Sequence, residues 1–267
     1  MVCFHPLKGY RARSPSGNGG YRIVFNKRDG YEDKPQSIAC GQCQGCRLER
    51  SRQWAVRCLH ESKLHADNCF LTLTYSEEHL PRDGSLHIKH VQDFLKRLRK
   101  FVYVTTGNRF KFYACGEYGD LFGRPHYHMC IFGYDFSDKV PFSKNHQGDI
   151  VYISNDLDRL WGFGIATTGD VTFESAGYVA RYVMKKVTGK AADRHYERYD
   201  LETGEIYYLT PEYTHMSRRG GIGKGWLDKF TSDVYPRDYV VVNGVKRVLR
   251  VFMIASLRLL ILNAMLV

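Results

Sequence analysis

Two runs of β-forming residues constrain this chain more than any other feature. Residues 109–116 (RFKFYACG) and 126–133 (HYHMCIFG) are dense in branched and aromatic side chains, and the link between them, within GEYGDLFGRP, carries glycines and a proline. So short a link joins antiparallel neighbours, because a parallel pair needs a crossover of about a dozen residues or more. The chain must therefore build an antiparallel sheet.

The remaining elements are read around that hairpin. Residues 69–75 (CFLTLTY) predict a strand, and residues 88–100 a helix after a turn at 81–84. A short helix opened by Ser154 or Asn155 and closed by Gly162 comes next, then a strand over 165–173 and a helix over 174–187 stopped by Gly189. Strand, helix, strand, strand, helix, strand is the split βαβ pattern. The expected fold is α+β: a ferredoxin/RRM-like antiparallel sheet with helices on one face and one further helix after the last core strand. Residues 1–46 read as loops with a short strand at 21–25. Residues 47–67 predict a basic amphipathic helix with Leu48, Ala55 and Leu59 on one face and Arg47, Arg50, Arg52 and Arg57 around it.

Three segments result: a Cys-rich basic segment over 1–66, a core over 67–190 and a basic, aromatic segment over 191–267. The last ends in an apolar tail, 251–267, broken by Arg258 and Asn263 and shorter than the roughly 20 residues a bilayer core requires. It reads as a packing helix and not as a membrane span. No long apolar run opens the chain, so a reducing cytoplasm is expected in preference to a secreted disulfide framework.

Charge narrows the partner. Thirty-nine Lys and Arg against 28 Asp and Glu leave +11, and 14% of the residues are aromatic, 19 of them Tyr. Cations for phosphates and rings for unstacked bases suit single-stranded nucleic acid, although a plain basic, Tyr-rich surface has the same composition. Arg47 and Arg50, with Lys96, Arg97 and Arg99 of the helix at 88–100, are candidates to track phosphates or to keep the surface soluble.

Three constellations carry chemistry. His126 and His128 are two apart on a strand and so share a face, where they could hold a divalent ion or serve as ordinary structural histidines. A hairpin would fold Glu117 back toward them, and two His with one carboxylate leave positions open for water and phosphate oxygens. Tyr178 and Tyr182 are one helical turn apart in YVARYVMKK, with Lys185 and Lys186 following and an apolar stripe on the other side. The phenols are therefore expected to be presented, not buried. A tyrosine attacking a DNA phosphate needs a cation nearby to stabilise its phenolate, and Lys185 is placed to give one or to hold the phosphate. Cys40, Cys43 and Cys46 have zinc-knuckle spacing with Cys3 or His5 as a fourth ligand for structural Zn²⁺, the alternative being a reduced loop. The Gly-rich GGIGKG at 220–225 lacks the spacing of a phosphate-binding loop, so no nucleotide cofactor is expected.

Taken together, FLTLTY, CGEYGDLFGRPHYHMCIFG and ESAGYVARYVMKKVTG resemble the three motifs of HUH endonucleases, the rolling-circle replication initiators. With CGQCQGCRLERSRQWAVRC added, the chain resembles the replication initiators of gokushovirus-type microviruses, small single-stranded-DNA bacteriophages. The resemblance runs from Cys3 to about Gly225. It implies metal ligands at His126, His128 and Glu117, nucleophiles at Tyr178 and Tyr182, and the lysine of a Y-x-x-K pattern at Lys185, the same slot after Tyr178 being Arg181. It also implies Mg²⁺ or Mn²⁺, a nick at a replication origin that leaves a 5′-phosphotyrosine and a 3′-hydroxyl primer, and strand transfer by the second tyrosine. The setting would be the host bacterial cytoplasm, with host helicase and polymerase as partners. The resemblance stops at the tail, where such initiators continue in polar, charged sequence and this chain turns apolar, as a frameshifted reading frame would. From the residues alone, a noncatalytic Cys-rich nucleic-acid-binding protein and a metal-dependent hydrolase using water remain as alternatives.

Overall fold

The structure is a computed structural model that describes residues 3–17, 20–182, 185–189, 191–200, 202–235 and 237–248. The apolar tail at 251–267, read above as a packing helix, lies outside the described residues. The chain divides into two compact units, Met1–Arg50 and Ser51–Val267.

In the smaller unit β1 (Leu7–Ala12), β2 (Ile23–Val24) and β3 (Gly30–Ile38) form an antiparallel sheet in the order β2-β1-β3. This corrects the expectation of loops over 1–46. Seven of the nine β3 residues are exposed, so the strand is held by backbone pairing and shows no apolar alternation to read. Helix α1 (Gln44–Ser62) starts in this unit and continues into the next. It ends before the expected 67, and Leu48, placed on its apolar face, is 44% exposed.

The larger unit follows in chain order as β4 (Asn68–Thr74), α2 (Ile88–Thr106), β5 (Lys111–Tyr118), β6 (Pro125–Phe132), β7 (Val140–Lys144), β8 (Ile150–Ile153), α3 (Asn155–Trp161), β9 (Ala166–Gly169) and α4 (Phe173–Arg181). After these come α5 (Ala191–Tyr196), β10 (Glu197–Tyr199), β11 (Ile206–Tyr208), β12 (Tyr213–Met216), α6 (Lys224–Lys229), α7 (Thr231–Val234), β13 (Tyr239–Val242) and β14 (Val245–Val248). Seven of the strands make one sheet, β12-β5-β6-β4-β9-β8-β7, antiparallel at every junction. The segment after 190, read only as basic and aromatic, thus supplies an edge strand, and the β7–β8 hairpin supplies the other edge. None of the described helices is long and apolar enough to cross a membrane.

The helices were expected on one face of the sheet, and they cover both. Leu71 and Leu73 of β4, Phe112 and Ala114 of β5, and Tyr127, Met129 and Ile131 of β6 bury against α2 and α3. The alternate residues Tyr113, Cys115, Cys130 and Phe132 bury with Cys58 of α1 and Ala176, Val179 and Ala180 of α4. A sheet apolar on both faces gives continuous hydrophobic runs, which is what RFKFYACG and HYHMCIF are. Fully burying one such Leu or Phe contributes about 1.5–3 kcal/mol, so either face anchors the register of the other. Tyr127 adds to that anchor from within the core. Its hydroxyl lies 2.9 Å from that of Tyr75 and accepts from the His87 backbone N–H at 2.8 Å.

Local chemistry fixes the ends of the elements. Ser154 caps α3 by accepting from the Leu157 N–H, and Gly162 closes it in the left-handed region, as expected. Thr172 and Ser175 form a reciprocal capping box that starts α4. Helix α4 then stops at Arg181, short of the predicted 187. The Lys185 N–H turns back to the Tyr182 carbonyl three residues earlier, and the Val187 N–H is taken by the Tyr196 hydroxyl.

The Gly-rich run at 220–225 serves the fold. The Gly223 N–H donates to Glu61 Oε2 at 2.7 Å, its φ is +76°, and a Cβ there would meet the Arg57 carbonyl oxygen at 3.0 Å. Only glycine fits so close to α1. Glu61 is fully buried and also meets Lys111 at 2.8 Å and His65 at 3.2 Å. Burial by itself would raise its carboxyl, but His65, Lys111 and the Gly223 amide outweigh that and hold it at about 2.

Candidate active site

The pairing of β5 with β6 sets Glu117 directly opposite His126 and Cys115 opposite His128. Glu117 is therefore a strand residue, not the first residue of the connection. Cross-strand neighbours on one face lie about 5 Å apart at Cβ, so the carboxylate reaches both imidazoles. Glu117 Oε1 is 2.7 Å from His126 Nε2 and 3.0 Å from His128 Nε2.

The outer nitrogens show what this cluster is suited to hold. His126 Nδ1 lies 3.0 Å from the Arg124 carbonyl oxygen, which can only accept, so Nδ1 carries a proton and the neutral ring has its lone pair on Nε2. His128 Nδ1 is 3.0 Å from the Thr72 hydroxyl, which β4 places opposite it. Two imidazole lone pairs and a carboxylate oxygen thus converge, and they repel unless a proton or a cation lies among them. This is the donor set and outer-shell pattern of a metal site, and all three ligand atoms lie within 4.8 Å of one another. Glu117 Oε2, buried and without a hydrogen bond, faces only the Lys185 ammonium at 3.1 Å. The residues present fit a divalent ion.

Burial would raise the Glu117 carboxyl, yet its contacts with His126 and His128 hold it at about 2. Burial also pushes His128 below the ordinary imidazole range, which keeps the ring neutral, the form that ligates.

Helix α4 brings its tyrosines to the same place. The Tyr178 ring meets His128 edge-on at 5.0 Å, Tyr182 stacks on the His128 ring at 5.6 Å, and the two phenols are 4.7 Å apart between centroids. Phe70 of β4 packs against both His128 and Tyr178. The tyrosines differ in exposure, against the expectation that both are presented. Tyr178 is 40% exposed, whereas Tyr182, the C-cap of α4, is 5% exposed and joins the core with Cys58, Tyr113 and Cys115. Burial raises both phenols above their usual range. The Lys185 ammonium lies 4.8 Å from the Tyr182 ring centroid and is held by Asp120 at 2.7 Å as well as by Glu117.

A cleft of about 330 Å³ opens beside His128 and Tyr178. Phe70, Thr72, Arg181 and the β7–β8 turn at 145–149 line it, giving it a cation, an aromatic ring and several hydrogen-bonding groups.

Not every predicted residue gathers here. Lys96, Arg97 and Arg99 lie on α2, across the sheet from the histidines. Arg97 spends its guanidinium on the carbonyls of Leu160 and Trp161, Arg99 lies over Phe110 and Phe112, and Lys96 pairs with Asp93. Arg47 and Arg50 belong to the smaller unit, and Lys186 is half-buried just after Lys185. Cys3, Cys40, Cys43 and Cys46 come together in the smaller unit, with His5 exposed and outside the group. Sequence reasoning missed Thr72, Phe70, Asp120 and Arg124. Asp120 and Arg124 flank the motif residues in the link, but Thr72 and Phe70 become neighbours of His128 only through the β4–β6 register.

An antiparallel α+β unit that aims a carboxylate, two histidines and two tyrosines at one point is here that of a viral replication protein. The family model for replication-associated protein ORF2 matches residues 68–187, the stretch from β4 to just beyond Lys185. The chain belongs to the replication-associated proteins of microviruses. It is 34% identical to replication-associated protein VP4 of Bdellovibrio phage phiMH2K over 91% of this chain and 73% of that protein. It is 33% identical to replication-associated protein ORF2 of Spiroplasma virus 4 over 92% and 77%, and 37% identical to replication-associated protein ORF4 of Chlamydia phage 1 over 59% and 41%. No solved structure matches.

Proposed function

We propose that this chain is a metal-dependent HUH-type endonuclease and strand transferase that nicks single-stranded DNA at a replication origin and starts rolling-circle replication in the host cell. The observation that carries this reading is the packing of Tyr178 against His128, which puts an accessible phenol beside a cluster built for a divalent ion. The strand order β5-β6-β4-β9, with α2 and α3 as the crossovers on one face, supports the split βαβ reading of the core. The replication-associated names of the relatives support such an activity in a phage replication cycle.

Glu117, His126 and His128 would hold Mg²⁺ or Mn²⁺, which when bound supplies Lewis-acid polarisation of the scissile phosphate. The protein's own groups do the rest. The cleft beside Tyr178 takes the strand, with Arg181 on a flanking phosphate and Phe70 offering a ring edge. The Tyr178 phenolic oxygen attacks phosphorus, the bond from phosphorus to the 3′ oxygen breaks, and the phenolic proton's loss is balanced by protonation of the departing 3′ oxygen. One phosphodiester replaces another, so the break can be resealed without ATP, and the 3′-hydroxyl is left to prime synthesis by a host polymerase. Because burial opposes phenolate formation, the Lys185 ammonium near the phenols acts as the compensating charge. Tyr182 is the nucleophile for the second transfer.

The test is a labelled single-stranded origin oligonucleotide incubated with the protein and Mn²⁺ and resolved on a denaturing gel. A covalent adduct is expected, absent in the Tyr178→Phe, Tyr182→Phe double variant. An adduct that survives in the double variant sinks the tyrosine mechanism. Cleavage without any adduct would mean hydrolysis by water instead.

A further inference from the structure

We propose that Cys3, Cys40, Cys43 and Cys46 form a closed, four-thiolate site for a single structural zinc ion within the unit Met1–Arg50. The pairing of Leu7 with Ile38 sets the start of β1 beside the end of β3, which brings Cys3 to Cys40. Gly41, at φ +75°, then turns the chain so that Cys43 and Cys46 fold back on the first turn of α1. The four sulfurs lie within 4.8 Å of one another, and those of Cys3 and Cys43 are 3.9 Å apart.

That separation is informative. Four sulfurs at the zinc–thiolate distance of about 2.3 Å from one tetrahedral ion are about 3.8 Å from each other along every edge. A disulfide would bring two of them to about 2.05 Å. An iron–sulfur cluster, with a separate iron on each thiolate, would spread them farther apart. Backbone amides also point at the sulfurs: Phe4 N–H to Cys43, Cys40 N–H to Cys3 and Cys43 N–H to Cys40, each at 3.3 Å. Amide donors stabilise sulfur as thiolate, and four thiolates in this space need a compensating cation. The other four cysteines, Cys58, Cys69, Cys115 and Cys130, are buried in the larger unit and belong to no such group among the described residues. With all four positions filled by protein the ion has no open site, so its role is to tie β1, β3 and α1 together in a unit with little apolar core of its own. This inference is independent of the nicking reaction.

Zinc analysis of the full chain, purified without chelator, should give about one zinc per chain. Cys40→Ser, Cys43→Ser should lose it, and His5→Ala should keep it. Added Co²⁺ should give the visible bands of a tetrahedral thiolate site in the wild type even if the double variant folds poorly. Stripping the zinc should speed proteolysis within residues 3–50 while 51–248 keeps its resistance. Wild-type protein with neither zinc nor Co²⁺ bands, iron in place of zinc, full zinc in the double variant, or zinc lost in His5→Ala would each overturn the proposal.

Discussion

Glu61 and Glu117 are the two buried carboxylates of the larger unit that look most alike. Each is held at about 2 against the upward pull of burial, each faces a lysine, and each touches histidine. Their surroundings differ in one respect. Glu61 is met by groups that can donate permanently, the Gly223 amide and the Lys111 ammonium, so its demand is satisfied by the fold. Glu117 is met by two imidazoles whose outer nitrogens already have partners, and one of its oxygens has no hydrogen bond at all. A carboxylate whose needs are met belongs to structure. One surrounded by lone pairs has a place for a ligand.

Opposite responses to the same substitution would test that contrast. Glu117→Ala should lower Mn²⁺-dependent adduct formation by more than about 100-fold, since outer-shell changes at metal sites alone cost 10–100-fold. Its urea midpoint should hardly fall, because a buried charge leaves along with its partners' demand. An adduct yield near wild type would remove Glu117 from the site.

Glu61→Ala should do the reverse, costing about 3 kcal/mol of stability by stranding Lys111 and the Gly223 amide, read as a lower urea midpoint. The acid response follows from the depressed carboxyl. Its contribution is complete above the unfolded value near 4.5 and is lost as pH falls toward about 2, so Glu61→Gln should flatten acid unfolding across that window. An unchanged acid profile would show that Glu61 does not anchor the fold. The smallest effect is expected at Thr72→Val, which removes the partner of His128 Nδ1 and should weaken Mn²⁺ binding by roughly tenfold. Titration of Mn²⁺ by calorimetry would check it, and equal affinity would mean that the Thr72 contact is incidental.

Much of this arrangement could be read before the fold was known. The ends of α3 follow from Ser154 and Gly162, since caps are local chemistry. The histidine pair and Glu117 follow from strand period and hairpin spacing. Burial of Tyr182 did not, because it depends on α4 ending at that residue and on Lys185 turning back toward Glu117. Strands β1 and β3 did not either, since a strand solvated on most of its length leaves no apolar period. The second helical layer was written in the unbroken apolar runs of β5 and β6, which a sheet covered on one side would not need. Thr72 was out of reach because its role exists only once β4 and β6 are in register.

The hydroxyl of Tyr127, tied to Tyr75 and to the His87 amide, gives that register a meaning for chemistry. Side chains on β6 alternate, so a slip of one residue would drive both histidines into the core and swing Tyr127 out among the tyrosines of α4. The residue between the histidines works as a key: the ligands can face the cleft only while it stays seated in its lock on the opposite face.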